Sequence, residues 1–479
     1  MRAIRDWAVL ALVTCSVLVP STVHAQSAEP PMPAPPPVPS DEGAVARPGQ
    51  ESGRLDDYKG EDSDARQAGQ ALLFVPKLAF GVVMTPARSI VYLGDRYHLA
   101  ERARRWFFTS DGKAGAYPVV GWDAGFGPNI GVQGVLDDKL GYGESFLGKA
   151  VIGWASRATL LARFMSGDML GENLTLGLEV LYDRNPAEWF YGIGNGNEID
   201  APPVDLMIDP YINPTAIQTR YFQGQARGSA ALDYRPFGKG FHIRPGATVA
   251  DVETSSDISS RLNDPPIDAE YDTMVLTGYP GYQIAYGEVE LRLDTRRRWD
   301  DWESKGIPSQ GWLVSVYGGR ALVDVGKDYF RYGADIHKLV RLGMGPRVLA
   351  LRFHGEGITG NIEDAPFTEL PGLGGPQFLR GYNPGRFRDK LAAVASAEYE
   401  WDLSETIATS LFVDVGRVFP DWDDLSLDNM RVGFGLGIQA YTANTFLTRA
   451  QIASSIDGGV FLNLVFEPAF EPQLRVSSQ

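Results

Sequence analysis

From about Ala116 onward, apolar and polar residues alternate along the chain with a period of two. In residues 287–294 the side chains of Val289, Leu291 and Leu293 fall on one face, and charged side chains fall on the other. The same alternation returns in residues 222–234, 347–356, 391–401 and 432–440. This pattern predicts β-strands that each carry one apolar and one polar face.

Three features favour a membrane barrel over a soluble sandwich. The predicted strands are long, as tilted membrane strands are. Aromatic residues cluster near strand ends, as membrane girdles do: Tyr399 with Trp401, and Tyr286 with Trp299 and Trp302. The polar faces carry charges of both signs, which a dry sandwich core could not hold. A β-protein in a bilayer must pair every backbone group, so we predict an all-β fold, a transmembrane antiparallel β-barrel.

The connections between predicted strands differ in length. Residues 343–346 and 402–405 form tight turns, whereas 186–214, 254–279 and 357–389 are long. Short periplasmic turns and long outer loops are typical of outer-membrane barrels. About fifteen strands can be counted, with ambiguity in residues 145–200, and an even number follows if both chain ends are periplasmic.

The N-terminus has the pattern of a secretory signal. Arg2 and Arg5 precede an apolar run over residues 8–19, and Ala25 ends a cleavage site, so we predict a signal peptide over 1–25 and export to the outer membrane of a Gram-negative bacterium. A lipoprotein signal acylated at Cys15 is the alternative. Residues 26–66 are proline-rich and polar, which predicts a disordered periplasmic tether; a peptidoglycan-binding or partner-binding arm is the alternative.

Residues 67–112 form a predicted helical segment, periplasmic or interfacial. Thr85 and Pro86 resemble a helix N-terminus, and the helix would end near Phe107 in a basic, aromatic cluster. We expect this segment to lie against the periplasmic rim; a plug inside the barrel is the alternative. The barrel domain is predicted over 115–470, with a tail at 471–479.

Charge and composition exclude several functions. The net charge of −16 argues against nucleic-acid binding, and Cys15 is the only cysteine. The five histidines (His24, His98, His242, His337 and His354) are scattered, and His354 is interpreted as a solvated wall residue of the lumen. We expect no enzyme activity, catalytic residue, metal or cofactor. An outer-membrane hydrolase is a third possibility, but the predicted lipid faces show no Ser/His pair.

The stretch 373–390 is rich in glycine and carries four basic residues. At its centre, Leu379-Arg380-Gly381-Tyr382 resembles the aliphatic-Arg-Gly-aromatic loop motif of the outer-membrane-protein-85 superfamily, also called the bacterial surface antigen family of BamA-like barrels. The resemblance covers roughly residues 115–470. It extends to Ala397-Glu398-Tyr399 and to Phe412-Val413-Asp414-Val415-Gly416, which resembles the F-x-D-x-G strand motif ending in the glycine Gly416.

The resemblance implies sixteen strands and a loop that folds back into the lumen. It implies that Arg380 meets the carboxylates of Glu398 and Asp414, a bidentate geometry that lysine cannot reproduce. Gly374, Gly375 and Gly381 would allow the tight backbone. Whether Arg380 only pins the loop and stabilises the barrel, or also acts in substrate movement, stays open.

The predicted last strand, 458–466, carries Leu462, Leu464 and Phe466 on one face and looks like a barrel-assembly signal. About forty residues separate the tether from the barrel, too few and too helical for a family POTRA domain. The family implies assembly or insertion of outer-membrane proteins, or polypeptide translocation, through a weakly closed seam between a first strand near 126–136 and the last. A passive channel or surface antigen is the alternative. Expected partners are outer-membrane lipids and lipopolysaccharide, with client polypeptides or periplasmic accessory proteins as further candidates.

Overall fold

A computed structural model describes most of the predicted barrel domain. The described residues are 106–123, 127–198, 208–211, 215–238, 240–258, 264–297, 309–342, 347–402, 407–441 and 446–465. The predicted signal peptide, tether and tail, Phe466 and most of the predicted helical segment lie outside them. Trp106 and Phe107, at the end of that segment, are helical.

Sixteen antiparallel strands form one sheet in which each strand pairs with its neighbours along the chain. This confirms the predicted fold class and strand number. Two short two-stranded pairs lie in the connections. In chain order the strands are β1 (Ala114–Asp123), β2 (Gly127–Asp137), β3 (Ser145–Gly153), β4 (Ala158–Met165), β5 (Leu174–Phe190), β6 (Asn197–Glu198), β7 (Thr215–Ala216), β8 (Thr219–Tyr234), β9 (Phe241–Ser255), β10 (Gly281–Asp294), β11 (Gly311–Val323), β12 (Tyr329–Arg341), β13 (Arg347–Ile358), β14 (Gly372–Leu373), β15 (Phe387–Arg388), β16 (Leu391–Asp402), β17 (Ile407–Phe419), β18 (Arg431–Tyr441), β19 (Phe446–Ser455) and β20 (Val460–Val465).

The predicted position of the first strand is wrong. The segment near 126–136 is β2, and β1 precedes it with Pro118 opposite Val132. Proline has no N–H for a strand ladder, so it weakens a sequence-based strand assignment. It is tolerated here because β1 is an edge strand of the sheet.

The distribution of exposed residues identifies the surroundings of the sheet. In β10, Val289 and Leu291 are 49% and 42% exposed, whereas Glu288 and Glu290 are only 7% and 2% exposed. This is the reverse of a soluble protein, in which apolar side chains are buried. Apolar residues on the outside and charges on the inside are the arrangement of a membrane barrel. Within the described residues no helix is long and apolar enough to cross a membrane, a finding that does not concern strands.

The sheet is strongly curved. Asn195 follows the last residue of β5, Phe190, by five residues and hydrogen-bonds Val418 in β17. These strands are eight neighbours apart in the sheet, which is about 38 Å in a flat sheet. Five extended residues reach only about 18 Å, so the sheet must bend to bring β5 and β17 together.

The connections divide the barrel into two ends. Residues 191–218, 256–280 and 359–390 leave from one end, which we call the loop end; the opposite end we call the turn end. At the loop end, side chains from these connections pack with strand residues into a buried core. Its members that are at most 1% exposed are Phe190, Tyr221, Ile267, Tyr271, Ala321, Ala365, Phe367 and Leu370. The loop end is therefore filled by packed side chains.

The prediction that Tyr286 belongs to an aromatic membrane girdle is wrong. Tyr286 is only 6% exposed, and its hydroxyl donates to Glu288 at 2.8 Å on the lumen side. Its even-numbered position places it on the same face of β10 as Glu288. The rings of Tyr399 and Trp401 lie on the outer face of β16, with centroids 5.3 Å apart and planes tilted by 32°. Trp299 and Trp302 lie outside the described residues.

Candidate functional site

Residues 359–390, which we call the lumen loop, connect β13 to β16. Within it, β14 pairs with β15, so residues 374–386 form a closed excursion between them. Leu379 is 0% exposed and Arg380 3% exposed, although both lie in a loop. The centre of the predicted motif is therefore packed inside the barrel.

Arg380 forms a charged site with β16 and β17. Its Nε and Nη2 atoms donate to the two carboxylate oxygens of Asp414, both at 2.8 Å, and its backbone N–H donates to Asp414 at 2.9 Å. Its Nη1 donates to Glu398 at 2.8 Å. The guanidinium carbon also lies 3.6 Å from the centroid of the Phe412 ring. The structure thus brings together the arginine and both carboxylates that the sequence analysis paired.

The backbone approaches the wall closely on both sides of Arg380. Leu379, Gly381, Gly374 and Gly375 all have positive φ angles, of 58°, 95°, 117° and 90°. A Cβ on Gly381 would lie 2.2 Å from the carbonyl oxygen of Ser454 in β19, so only glycine fits there. Leu379 holds a left-handed conformation without being glycine, and its burial supplies the packing that keeps it there.

Two strand glycines make room for the lumen loop. A Cβ on Gly433 of β18 would lie 1.6 Å from the Arg380 carbonyl oxygen, closer than any non-bonded contact allows. A Cβ on Gly416, the last residue of the F-x-D-x-G motif, would lie 2.9 Å from the Ala393 carbonyl oxygen and 3.2 Å from Leu373 of β14. The wall of β17 and β18 is therefore shaped to receive the lumen loop.

Two residues of β19 that were not predicted from the sequence, Arg449 and Gln451, complete this site. Arg449, 3% exposed, lies 3.2 Å from Glu398 and 3.5 Å from Glu400. With its amide oxygen turned toward them, Gln451 accepts from Arg380 and Arg449, each at 3.2 Å. Two guanidinium groups thus face three carboxylates. Arg449 and Gln451 are alternate residues of β19, so period-two alternation over 446–455 could have found them.

Tyr382, the last residue of the motif, contacts the connection after β19. Its hydroxyl donates to Asp457 at 2.8 Å, and its ring packs edge-on against Phe387, with centroids 5.1 Å apart. The motif therefore spans from β16, through Arg380, to the far side of β19.

The tip of the lumen loop has a second anchor on β12 and β13. The Phe378 ring lies 4.3 Å from the His354 ring and 4.5 Å from the Arg352 guanidinium carbon. Arg352 is held by Asp335, with Nη2 and Oδ2 2.6 Å apart. His354 is 6% exposed and lies 3.5 Å from Asp335, so its interpretation as a solvated wall residue is wrong. The lumen loop covers it, which alternation within β13 could not reveal.

A third anchor lies where the lumen loop enters the barrel. The hydroxyl of Tyr282 in β10 donates to the Glu369 carboxylate at 2.7 Å. Arg331 of β12 donates to the Glu369 carbonyl oxygen, and its Nη1 lies 3.7 Å from the Glu369 carboxylate. The lumen loop is therefore fixed at its entrance, tip and motif.

The predicted terminal signal is described only in part. Leu462 of β20 is 70% exposed on the outer face. Leu464 lies in β20, and Phe466 lies outside the described residues. Between the described parts of β1 and β20 there is no backbone pairing. Among the described ranges, no group of three His, Cys, Asp or Glu side chains is arranged to hold a metal ion.

Comparisons with known proteins agree with this geometry. Residues 289–458 match the model of the Omp85 superfamily domain. The chain is similar to BamA from Haemophilus ducreyi lacking POTRA domains 1–3, with a TM-score of 0.50 and 15% identity over 74% of this chain and 69% of that one. It is also similar to CdiB from Acinetobacter baumannii (10% identity, 58% of that chain) and from Escherichia coli (9%, 60% of that chain), each over 74% of this chain with a TM-score of 0.46. A comparison with curated protein sequences found no match.

The domain match covers the lumen loop, β16, β17 and β18, where the charged site lies. The likeness to BamA shows the shared barrel fold. The match to the Omp85 superfamily domain covers residues 289–458, and the described sheet has the fold of a BamA-like barrel with an apolar outer face. The domain and the apolar outer face together indicate an outer-membrane protein.

Proposed function

We propose that this barrel moves polypeptide into or across the outer membrane, without enzymatic chemistry, by parting β1 from β20. The observation that carries the proposal is the docking of the lumen loop on β16–β19. These strands lead to the C-terminal edge of the sheet, and Arg380, Glu398, Asp414 and Arg449 join them through buried charge. One edge of the seam is thereby held in shape while the other edge opens.

The lengths of the strands support an opening at this place. β5, β8 and β9 have 17, 16 and 15 residues, whereas β3 and β4, near the N-terminal edge, have 9 and 8. Eight residues span about 26 Å along the strand, and less across the membrane once the strand tilts. A short apolar band thins the adjacent bilayer. A thinner bilayer beside the seam lowers the barrier for a chain that leaves it sideways.

The alternative of a passive channel gains no support from the loop end. A passive channel needs a continuous aqueous path, but Tyr221, Tyr271, Phe190 and Phe367 are each 0% exposed in the core at that end. Phe190 packs against Tyr271 and Phe367, with ring centroids 5.0 Å and 5.5 Å apart. Polypeptide that enters from the turn end would therefore find its exit at the seam.

The chemistry of the seam suggests the form of the client. An unpaired strand edge presents backbone N–H and C=O groups, which recruit an extended chain by strand addition. We propose extended outer-membrane or secreted polypeptides as clients, membrane lipids and lipopolysaccharide as the surroundings, and periplasmic accessory proteins as helpers at the turn end.

A reversible lock across the seam tests the proposal. One cysteine at Val119 in β1 is combined in turn with one at Phe461, Leu462 or Asn463 in β20, in a Cys15-free background. The barrel is reconstituted in liposomes, and insertion of an unfolded outer-membrane protein is measured as protease protection. We expect oxidation to stop insertion and reduction to restore it.

The matched control places the two cysteines at Ile452 and Leu462, which already face each other in the β19–β20 ladder. Its oxidation should leave insertion unchanged. Insertion that continues at the wild-type rate through a fully oxidised seam would overturn the proposal. A barrel that conducts ions but never promotes insertion would instead support the passive channel.

A further inference from the structure

Asn195 makes a two-point contact with the backbone of a strand on the opposite side of the barrel. Its Nδ2 donates to the carbonyl oxygen of Val418 at 2.5 Å, and its Oδ1 accepts from the Val418 N–H at 3.1 Å. A side-chain amide has the same donor and acceptor as a peptide group. Asn195 therefore bonds to Val418 as a neighbouring strand would.

The contact occurs where the ladder between β17 and β18 has ended. That ladder stops at Gly416, which is opposite Arg431, whereas Val418 lies two residues farther along β17. Val418 is 0% exposed, so water does not reach its backbone freely. Buried peptide groups without partners are costly, and Asn195 satisfies both groups at once.

The segment 191–196, which we call the latch, is also fastened to the lumen loop. The N–H of Gly194 donates to the Arg388 carbonyl oxygen at 2.7 Å. Arg386 donates to the Gly196 carbonyl oxygen, also at 2.7 Å, and its guanidinium lies 4.9 Å from the Tyr191 ring. The latch thus joins the lumen loop and β17 across the loop end.

A chain of polar contacts links the latch to the motif tyrosine. Arg431 donates to the Asn195 carbonyl oxygen at 2.7 Å and to Asp457 at 3.0 Å. Asp457 also accepts from Tyr382 at 2.8 Å. The position of Asn195 and the docking of Tyr382 therefore share one arginine and one carboxylate.

We propose that Asn195 is a positioning residue that couples closure of the loop end to docking of the lumen loop. When its amide leaves Val418, the latch withdraws from the loop end, and Arg431, which orients Asp457, loses its hydrogen bond to the Asn195 carbonyl oxygen. The loop end then opens at the same time as Tyr382 loosens from Asp457. The inference concerns ion passage at the loop end and does not require that the barrel insert polypeptide.

The test is the conductance of the purified full chain in planar lipid bilayers. Asn195→Ala removes both bonds, and Asn195→Asp keeps the shape but sets a carboxylate against the Val418 carbonyl oxygen. We expect each change to raise the fraction of time spent open about tenfold, the effect of about 1.4 kcal/mol or one to two net hydrogen bonds. Gel mobility should show that both variants are folded.

Met274→Ala is the matched control, because Met274 lies in another loop-end connection and its side chain is 95% exposed. It should conduct as wild type does. Tyr382→Phe should raise the open fraction less when Asn195 is already Asp than in the wild-type background. Wild-type conductance of folded Asn195→Asp would overturn the proposal, and full additivity with Tyr382→Phe would overturn the coupling.

Discussion

The two edges of the sheet differ in how they are held. Near the C-terminal edge, Arg380, Glu398, Asp414 and Arg449 are each at most 3% exposed and form one network. Near the N-terminal edge, Arg163 of β4 and Arg227 of β8 both donate to Glu179 of β5, but the Arg163 side chain is 44% exposed. Other polar contacts there are simple pairs. The hydroxyl of Tyr117 accepts from Gln133 at 2.6 Å, and Thr159 donates to Asp183 at 2.6 Å.

The lumen loop accounts for this difference. Hydrogen bonds from the lumen loop reach strands from β10, at Tyr282, to β19, at Gln451. The C-terminal edge is therefore joined to an internal support, whereas Tyr117 of β1 and Thr159 of β4 bond to neighbouring strands. Because charge inside a barrel is stable only when it is paired, the support is strong but sensitive to single substitutions.

The largest decrease in stability should come from removing the Arg380 side chain, which lies at the centre of the buried charge network. Arg380→Ala leaves the buried Asp414 carboxylate without its arginine and leaves Glu398 with Arg449 alone, which costs about 3–5 kcal/mol when the site is dry and less if water enters. We expect a lower unfolding temperature in gel-mobility assays, and a slightly smaller decrease for Arg380→Lys. Asp414→Asn should act in the same direction, and the double change should be less than additive. Simple addition would mean that Arg380 and Asp414 do not interact.

The second prediction tests the close packing of the lumen loop separately from its charge pairs. Gly433→Ala leaves every charge in place but sets a methyl group 1.6 Å from the Arg380 carbonyl oxygen, which must move. Overpacking of this kind costs about 1–3 kcal/mol, so the unfolding temperature should decrease. Gly318→Ala is the control, because a Cβ there meets nothing within 4 Å. Equal behaviour of the two variants would contradict close docking of the lumen loop.

A smaller effect should come from the tip anchor. Phe378→Ala removes the ring contacts with His354 and Arg352, worth about 1–2 kcal/mol together. The unfolding temperature should decrease less than for Arg380→Ala. If the tip and the motif are separate anchors, the free energies of the two changes should add within experimental error. Strong non-additivity would show that the lumen loop docks as one unit.

The smallest effect should come from the N-terminal edge. Tyr117→Phe removes the hydrogen bond to Gln133, worth about 1 kcal/mol or less. It should leave the cleavage of the lumen loop by added protease unchanged, whereas Arg380→Ala should speed that cleavage. Faster cleavage in Tyr117→Phe would erase the distinction between the edges.

The local sequence pattern predicted the strands of the barrel wall better than the contacts inside the lumen. Alternation located strands such as β10 and β16, and the motifs paired Arg380 with Glu398 and Asp414. Alternation failed at β1, where Pro118 interrupts the pattern. It also assigned Tyr286 to a girdle, because aromatic character alone does not distinguish the two faces of a strand.

Contacts across the lumen could not be read from local pattern. Asn195 and Val418 are joined only because the sheet curves, and their spacing along the chain has no period. Alternation applied to β19 would have placed Arg449 in the lumen. That Arg449 contacts Glu398 follows only from the position of β19 beside the motif. The burial of His354 depends on where the tip of the lumen loop folds, which its own strand does not determine.

Backbone hydrogen exchange of the barrel in lipid nanodiscs tests the central claim most directly. If the lumen loop supports one edge only, amides of β16–β19 should exchange more slowly than those of β1–β4. Arg380→Ala should then speed exchange in β16–β19 and leave β1–β4 unchanged. Equal protection of the two edges in the wild type, or a uniform increase over the whole barrel in Arg380→Ala, would contradict the account.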